Sequence, residues 1–183
     1  MIVKETKLKG CFVIEPKVFE DERGYFFESF NQEKFNGAIG AEVKFVQDNE
    51  SFSAKGVLRG LHFQNGAFAQ AKLVRVIQGE VLDVAVDLRI NSETFGEYVS
   101  VKLSGQNKKQ FFVPRGFAHG FVVLSDTAIF SYKCDNIYNK ESEGGIIYND
   151  KSLNIDWEFP LDQAQLSEKD LVLPTFEAYL NEE

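Results

Sequence analysis

The stretch Glu80-Val-Leu-Asp-Val-Ala-Val-Asp-Leu88 alternates residue by residue, with Leu82, Val84, Val86 and Leu88 on one parity and Asp83, Ala85 and Asp87 on the other. A period of two belongs to a strand and excludes a helix, whose apolar positions recur with a period of about 3.6. The pattern predicts a half-buried strand. Lys72–Ile77, Tyr98–Leu103, Gln110–Pro114, His119–Leu124 and Thr127–Tyr132 are short runs of the same kind. Turn residues separate them, and Ser125-Asp126 predicts a hairpin joining the last two. Gly10–Pro16, Val43–Asn49 and Ile146–Tyr148 add further strands, and Tyr25–Phe30 is aromatic enough to predict a strand covered on both faces. Short strands at a spacing of roughly eight to twelve residues predict an all-β sandwich or barrel. Helices are confined to the periphery, at Gln32–Gly37 and from Ser167, where Ser-Glu-Lys-Asp sets an acidic residue three positions after a hydroxyl.

A chain of 183 residues supplies one well-filled core, so a single domain over residues 1–183 is expected. The 44% hydrophobic content, with 18 phenylalanines, excludes disorder. A net charge of −8 with no basic run excludes a nucleic-acid polymer as partner. It leaves room for a small anionic ligand, because Arg23, Arg59, Arg75 and Arg115 lie in or beside stretches singled out on other grounds. No segment approaches the roughly 18 apolar residues of a membrane helix, and the charged start is unlike a signal peptide, so the cytoplasm is expected. Cys11 and Cys134 lack metal or redox spacing and read as reduced and buried.

The two histidines each sit near an arginine: His62 in Gly-Val-Leu-Arg-Gly-Leu-His-Phe-Gln, and His119 in Phe-Val-Pro-Arg-Gly-Phe-Ala-His-Gly-Phe. Each reads either as a satisfied core residue or as a proton carrier, histidine being the side chain that ordinarily titrates near neutral pH. A reaction at a carbon acid needs a base, a cation for the developing enolate and an acid to return the proton. His62, Lys72 and a tyrosine are the candidates. Two histidines rule out a three-histidine metal site. Gln47-Asp48-Asn49 reads as surface loop or as polar lining, and Asp170 as a helix-start residue. Arg59 and His62 are three apart, which in a regular strand turns them to opposite faces, so Gly60 is expected to mark a bulge or twist that brings both toward one pocket.

Four runs carry a resemblance: Gly56 to Gln64, Lys72 to Arg89, Phe112 to Phe121, and Tyr132-Lys-Cys-Asp-Asn-Ile-Tyr138. They resemble the dTDP-4-dehydrorhamnose 3,5-epimerases, the RmlC-type sugar epimerases, and the likeness extends from Asp21-Glu-Arg-Gly-Tyr-Phe-Phe-Glu28 to Ser167-Glu-Lys-Asp170. The resemblance implies a cupin-type jelly roll with a few short peripheral helices. It further implies an isomerase, metal-independent and without cofactor, that takes dTDP-4-dehydro-6-deoxy-D-glucose to dTDP-4-dehydro-L-rhamnose in dTDP-rhamnose biosynthesis. On that likeness His62 is the base toward carbons 3 and 5 and Asp170 its partner, Lys72 holds the enolate oxygen, and Tyr132 returns a proton on the opposite face. Arg59 and His119 would lie by the sugar and phosphates, Gln47, Asp48 and Asn49 by the nucleotide, and Glu143 and Lys169 beside the ligand, with Tyr138 stacked on the base. Arg23, Phe26 and Glu28 would come from the partner subunit of a homodimer. An epimerase of one carbon, a ketoisomerase of a related nucleotide 4-keto sugar, and a non-catalytic sugar-nucleotide-binding cupin remain the alternatives.

Overall fold

The computed structural model describes residues 1–181 and opens with four short strands, β1 (Ile2–Glu5), β2 (Phe12–Glu15), β3 (Val18–Asp21) and β4 (Gly24–Phe27), followed by helix α1 (Gln32–Ile39). Eight strands follow: β5 (Gln47–Ala54), β6 (Leu58–Gln64), β7 (Lys72–Gln78), β8 (Glu80–Asp87), β9 (Tyr98–Ser104), β10 (Gln110–Val113), β11 (Phe117–Val123) and β12 (Thr127–Cys134). They pair from the outside inward, β5 with β12, β6 with β11, β7 with β10 and β8 with β9, all antiparallel. Such nesting is one long hairpin wound over itself, the topology of a jelly roll. A six-stranded sheet runs β1-β2-β10-β7-β12-β5, and a five-stranded one runs β13-β6-β11-β8-β9, where β13 is Glu143–Gly145. The expected all-β jelly roll is present, with α1 and a last helix α2 (Phe176–Leu180) at its edges.

Between the sheets lie Val74, Val76, Val81, Phe111, Phe121 and Phe130, each at most 5% exposed. Burial of a side chain of this size contributes about 1.5–3 kcal/mol before conformational entropy is subtracted. The predicted half-buried β8 is buried on both faces. Val81, Asp83 and Ala85 face the interior, and Leu82, Val84 and Val86 lie under the chain that returns after β13, against Leu153, Trp157 and Phe176. That return is pinned by polar bonds: Trp157 Nε1 donates to the Tyr148 carbonyl at 2.8 Å, and Asp150 accepts from the amides of Leu153 and Phe176. Helix α1 is longer than predicted, capped by Asn31 and ended at Gly40, and it buries Phe35 against Ile14, Leu73 and Phe112 on the outer face of the larger sheet.

Four local expectations are corrected. Ser125-Asp126 does not turn a hairpin, because β11 and β12 belong to different sheets and the Ser125 corner is a crossover fastened to the Glu80 carbonyl and amide. The strand expected at Val43–Asn49 begins at Gln47 and runs to Ala54, where β12 offers it partners from Cys134 to Thr127. The strand expected at Ile146–Tyr148 lies earlier, at β13, whose glycines fit where a Cβ on Gly144 would meet the Phe63 ring and one on Gly145 the Leu61 carbonyl. The aromatic run after Gly24 is not covered, since β3 and β4 form a separate two-stranded hairpin with Phe19, Tyr25 and Phe26 exposed.

Candidate active site

A cavity of about 470 Å³ opens between the sheets, and Arg59, His62, Lys72, His119, Tyr132, Lys169 and Asp170 all line it. His62 and Arg59 come from β6 and His119 from β11, in the five-stranded sheet, whereas Lys72 on β7 and Tyr132 on β12 come from the other. The imidazole of His62 and the phenol of Tyr132 thus enter the cavity from opposing walls.

Arg59 and His62 share a face for the reason expected. His119 pairs with His62 and Phe121 with Arg59, three steps on β6 against two on β11, so the ladder is bulged between them. Gly60 occupies the bulge at φ +138°, and a Cβ there would lie 2.6 Å from Gly120 Cα. No other residue type fits that approach.

His62 Nε2 lies 2.5 Å from Asp170 Oδ1, and Asp170 is 3% exposed. Burial works to raise the Asp170 carboxyl, but the hydrogen bond and charge of His62 win and hold it below the usual carboxylate range. A buried acceptor of this kind orients an imidazole and stabilises it when it takes a proton. The helix expected from Ser167 is reduced to the 3₁₀ turn 170–172, which Asp170 opens with its amide donating to Ser167 Oγ at 3.2 Å while its side chain pairs with His62. Burial pushes the Lys72 ammonium down, against the opposing influence of Cys134 and Asp83, and no protein hydrogen bond or ion pair holds its Nζ among the described residues. Burial pushes the Tyr132 phenol up from its ordinary value, which keeps it protonated near neutral pH. Arg59 Nε donates to Ser53 Oγ at 3.2 Å.

At the rim the remaining predicted residues form a chain of contacts. Lys169 pairs with Glu143, Glu143 accepts from the Tyr138 hydroxyl at 3.0 Å, and the Tyr138 amide donates to Gln47 Oε1 at 3.2 Å. Gln47 in turn donates to Asn49 Oδ1 at 3.1 Å. Asp48 alternates to the other side of β5, where it pairs with Lys133 at 2.8 Å, away from this chain. Arg23, Phe26 and Glu28 are not brought to the cavity within one chain: Arg23 pairs with Asp21, Glu28 with Lys34, and Phe26 is 71% exposed.

Three cavity features escaped the sequence reading. Ser51 lines the wall, its hydroxyl without a protein partner, and it belongs to an alternating polar series, Gln47, Asn49, Ser51 and Ser53, whose period of two was the available signal. The loop of Gln165, Leu166 and Ser167 closes one side, tied to the barrel by the bond from the Leu58 amide to the Gln165 carbonyl. Asp83, buried beneath His119, was marked only by an acid interrupting an apolar strand.

The profile of the family described as dTDP-4-dehydrorhamnose 3,5-epimerase matches residues 5–178. The protein of that name from Shigella flexneri is 56% identical over 171 residues, 93% of each chain. Among solved structures, the dTDP-4-dehydrorhamnose 3,5-epimerase of Elizabethkingia anophelis superposes with a TM-score of 0.94 at 61% identity, covering 97% of both chains. The dTDP-6-deoxy-D-glucose-3,5-epimerase of Legionella pneumophila, solved in complex with dTDP-4-keto-L-rhamnose, superposes at 0.93 with 50% identity, covering 96% of this chain and 93% of that one. The jelly roll, the His62–Asp170 pair and these likenesses agree: the chain belongs to the dTDP-4-dehydrorhamnose 3,5-epimerase family of isomerases.

Proposed function

We propose that the chain, folded as a single domain, inverts carbons 3 and 5 of dTDP-4-dehydro-6-deoxy-D-glucose to give dTDP-4-dehydro-L-rhamnose. The carrying observation is that His62 and Tyr132 enter one cavity from opposing sheets. The ketone at carbon 4 acidifies the hydrogens on both neighbouring carbons. His62 removes such a proton, with Asp170 orienting the ring and balancing its new charge. The electrons move onto the ketone oxygen, where the Lys72 ammonium stabilises the enolate; one donor lost from such an oxygen costs on the order of 3–4 kcal/mol. Tyr132 then protonates the carbon from the opposite face, and the stereocentre is inverted. A positioned base or acid contributes about 10²–10⁴ in rate.

Arg59 and His119 are suited to the sugar and phosphates, and the rim of Tyr138, Glu143, Lys169, Gln47 and Asn49 to the nucleotide. Asp48, facing away within the chain, has the weakest support among them. The exposed aromatics of the β3–β4 hairpin support a homodimer in which Arg23, Phe26 and Glu28 of each subunit complete the other's pocket. Two free, buried cysteines and the absence of a helix long and apolar enough to cross a membrane among the described residues support placement in the cytoplasm.

The test is incubation with the 4-keto sugar nucleotide in deuterated water. Deuterium at carbons 3 and 5, with product of inverted configuration at both, is the expected result. Label at one carbon means a single-carbon epimerase. No label, together with a His62→Ala variant that functions as well as the parent, leaves only a binding module.

A further inference from the structure

Asp83 is fully buried on the interior face of β8, between Val81 and Ala85, where a carboxylate has little to solvate it. Its Oδ1 lies 2.8 Å from Nε2 of His119, and its Oδ2 has no hydrogen-bond partner in the protein. His119 is 7% exposed and lines the cavity. With Nε2 committed to Asp83, Nδ1 has no protein partner and is the ring nitrogen left for a ligand. The charged or titratable groups acting on Asp83 are His119 on β11 and Lys72 on β7, the same lysine that faces the cavity without an ion pair. One buried carboxyl therefore stands behind two cationic or donor groups that reach the same cavity from the two sheets.

We propose that Asp83 is a positioning residue of the reaction: it holds the Nε2 edge of His119 so that Nδ1–H is presented, beside Lys72, to the oxygen that becomes an enolate. The assignment rests on the epimerase reading above. Burial pushes the Asp83 carboxyl up, while its contacts with His119 and Lys72 oppose the rise; a proton shared within the pair is the arrangement that puts no net charge in the core. In either arrangement of that proton, on the carboxyl or on the ring, Nδ1 carries hydrogen and donates. An asparagine in place of Asp83 can either accept from Nε2–H or donate to a bare Nε2, so it no longer fixes which ring nitrogen carries hydrogen, and the fraction of rings presenting Nδ1–H falls. The reaction would then lose a donor that acts in the transition state while ground-state binding is kept, which lowers kcat more than it raises KM.

The experiment compares the wild-type protein, Asp83→Asn, His119→Gln and the double variant, in kcat, KM, dTDP affinity and deuterium uptake. The expected result is a fall in kcat on the order of 10²-fold for each single variant, the low end for a positioned donor or acid. For Asp83→Asn, KM and dTDP affinity should stay within about threefold, too small a change to reflect a lost binding contact. Asp83→Asn should cost nothing more in the His119→Gln background, because it acts only through that ring. Unchanged kcat in Asp83→Asn, a loss confined to KM and dTDP affinity, or full additivity overturns the proposal. Should Asp83→Asn fail to fold, ¹⁵N imidazole spectra of the wild-type protein with dTDP decide: a protonated Nδ1 on His119 supports the assignment and a bare one refutes it. Absence of deuterium uptake in the wild-type protein would instead overturn the epimerase reading, and the ring spectra would still report on Asp83.

Discussion

If Tyr132 and His62 divide the reaction between two faces, as proposed, their deletions should have different signatures. Removing the phenol in Tyr132→Phe leaves the base, its Asp170 partner and Lys72 in place. Proton loss and return on the His62 face should continue, giving deuterium uptake with retention, while inverted product falls by about 10²–10⁴; nuclear magnetic resonance of the sugar in deuterated water reads both quantities. A variant that inverts at the parental rate would remove Tyr132 from the mechanism. Away from the cavity, Asp87 makes a different use of a buried carboxylate. Burial opposes its ionisation, but bonds from Arg89, Ser92 and Thr94 prevail and carry it from an ordinary value of 3.8 down to about 2. A carboxyl lowered in the folded state stabilises the protein fully above its unfolded value, and this contribution is lost as pH falls through the folded one. Urea midpoints measured from pH 5 to pH 2 should therefore fall less steeply in Asp87→Asn than in the parent; equal slopes would show that Asp87 carries no such linkage. His62 and Lys72 were legible as rare or reactive residues in strand runs, whereas Tyr132 was singled out among six tyrosines only by the family resemblance. Asp83 was not, because nothing in a single alternating strand tells which parity will face a ligand.

The bulge at Gly60 is the element on which the site's geometry turns, and it follows from local sterics. Gly60→Ala would place a Cβ 2.6 Å from Gly120 Cα at a φ of +138°, so either the strand moves or the register regularises. The expected outcome is a loss of more than about 1 kcal/mol in stability, the range for alanine forced to positive φ. Activity should fall further than stability alone explains, since a regular β6 would turn Arg59 and His62 to opposite faces. Denaturant unfolding paired with turnover below the melting range separates the two effects; normal turnover by a destabilised variant would mean that the bulge does not set the pair. This bulge was readable because a three-residue spacing conflicted with a period of two. The β11–β12 crossover was not, since a two-residue turn between apolar runs looks the same whether its strands pair with each other or each pairs with a distant partner. The burial of both faces of β8 was hidden for a similar reason: the cover over Leu82 and Val84 comes from Leu153, Trp157 and Phe176, far along the chain.

At the scale of the whole molecule, the question is whether one chain contains a complete pocket. Its catalytic candidates meet in one cavity, yet Arg23, Phe26 and Glu28 stay outside it, on or beside a hairpin that exposes Phe19, Tyr25 and Phe26. An exposed aromatic hairpin that lies outside both large sheets is the kind of surface a second copy covers. If a two-fold dimer carries each hairpin to the neighbouring pocket, lesions in Arg23 and His62 belong to the same pocket only when they lie in different chains. Arg23→Ala and His62→Ala homodimers would each be defective in both pockets. Co-expressed in equal amounts, they would form mixed dimers in which one pocket bears both lesions and the other bears none. Random pairing makes half the dimers mixed and so restores about a quarter of all pockets. The expected measurement is turnover near a quarter of the parental value from the mixture, against the low activity of either variant alone. A mixture no more active than the better variant, in a preparation shown by differential tags to contain mixed dimers, would place Arg23 in the service of its own chain or outside the site.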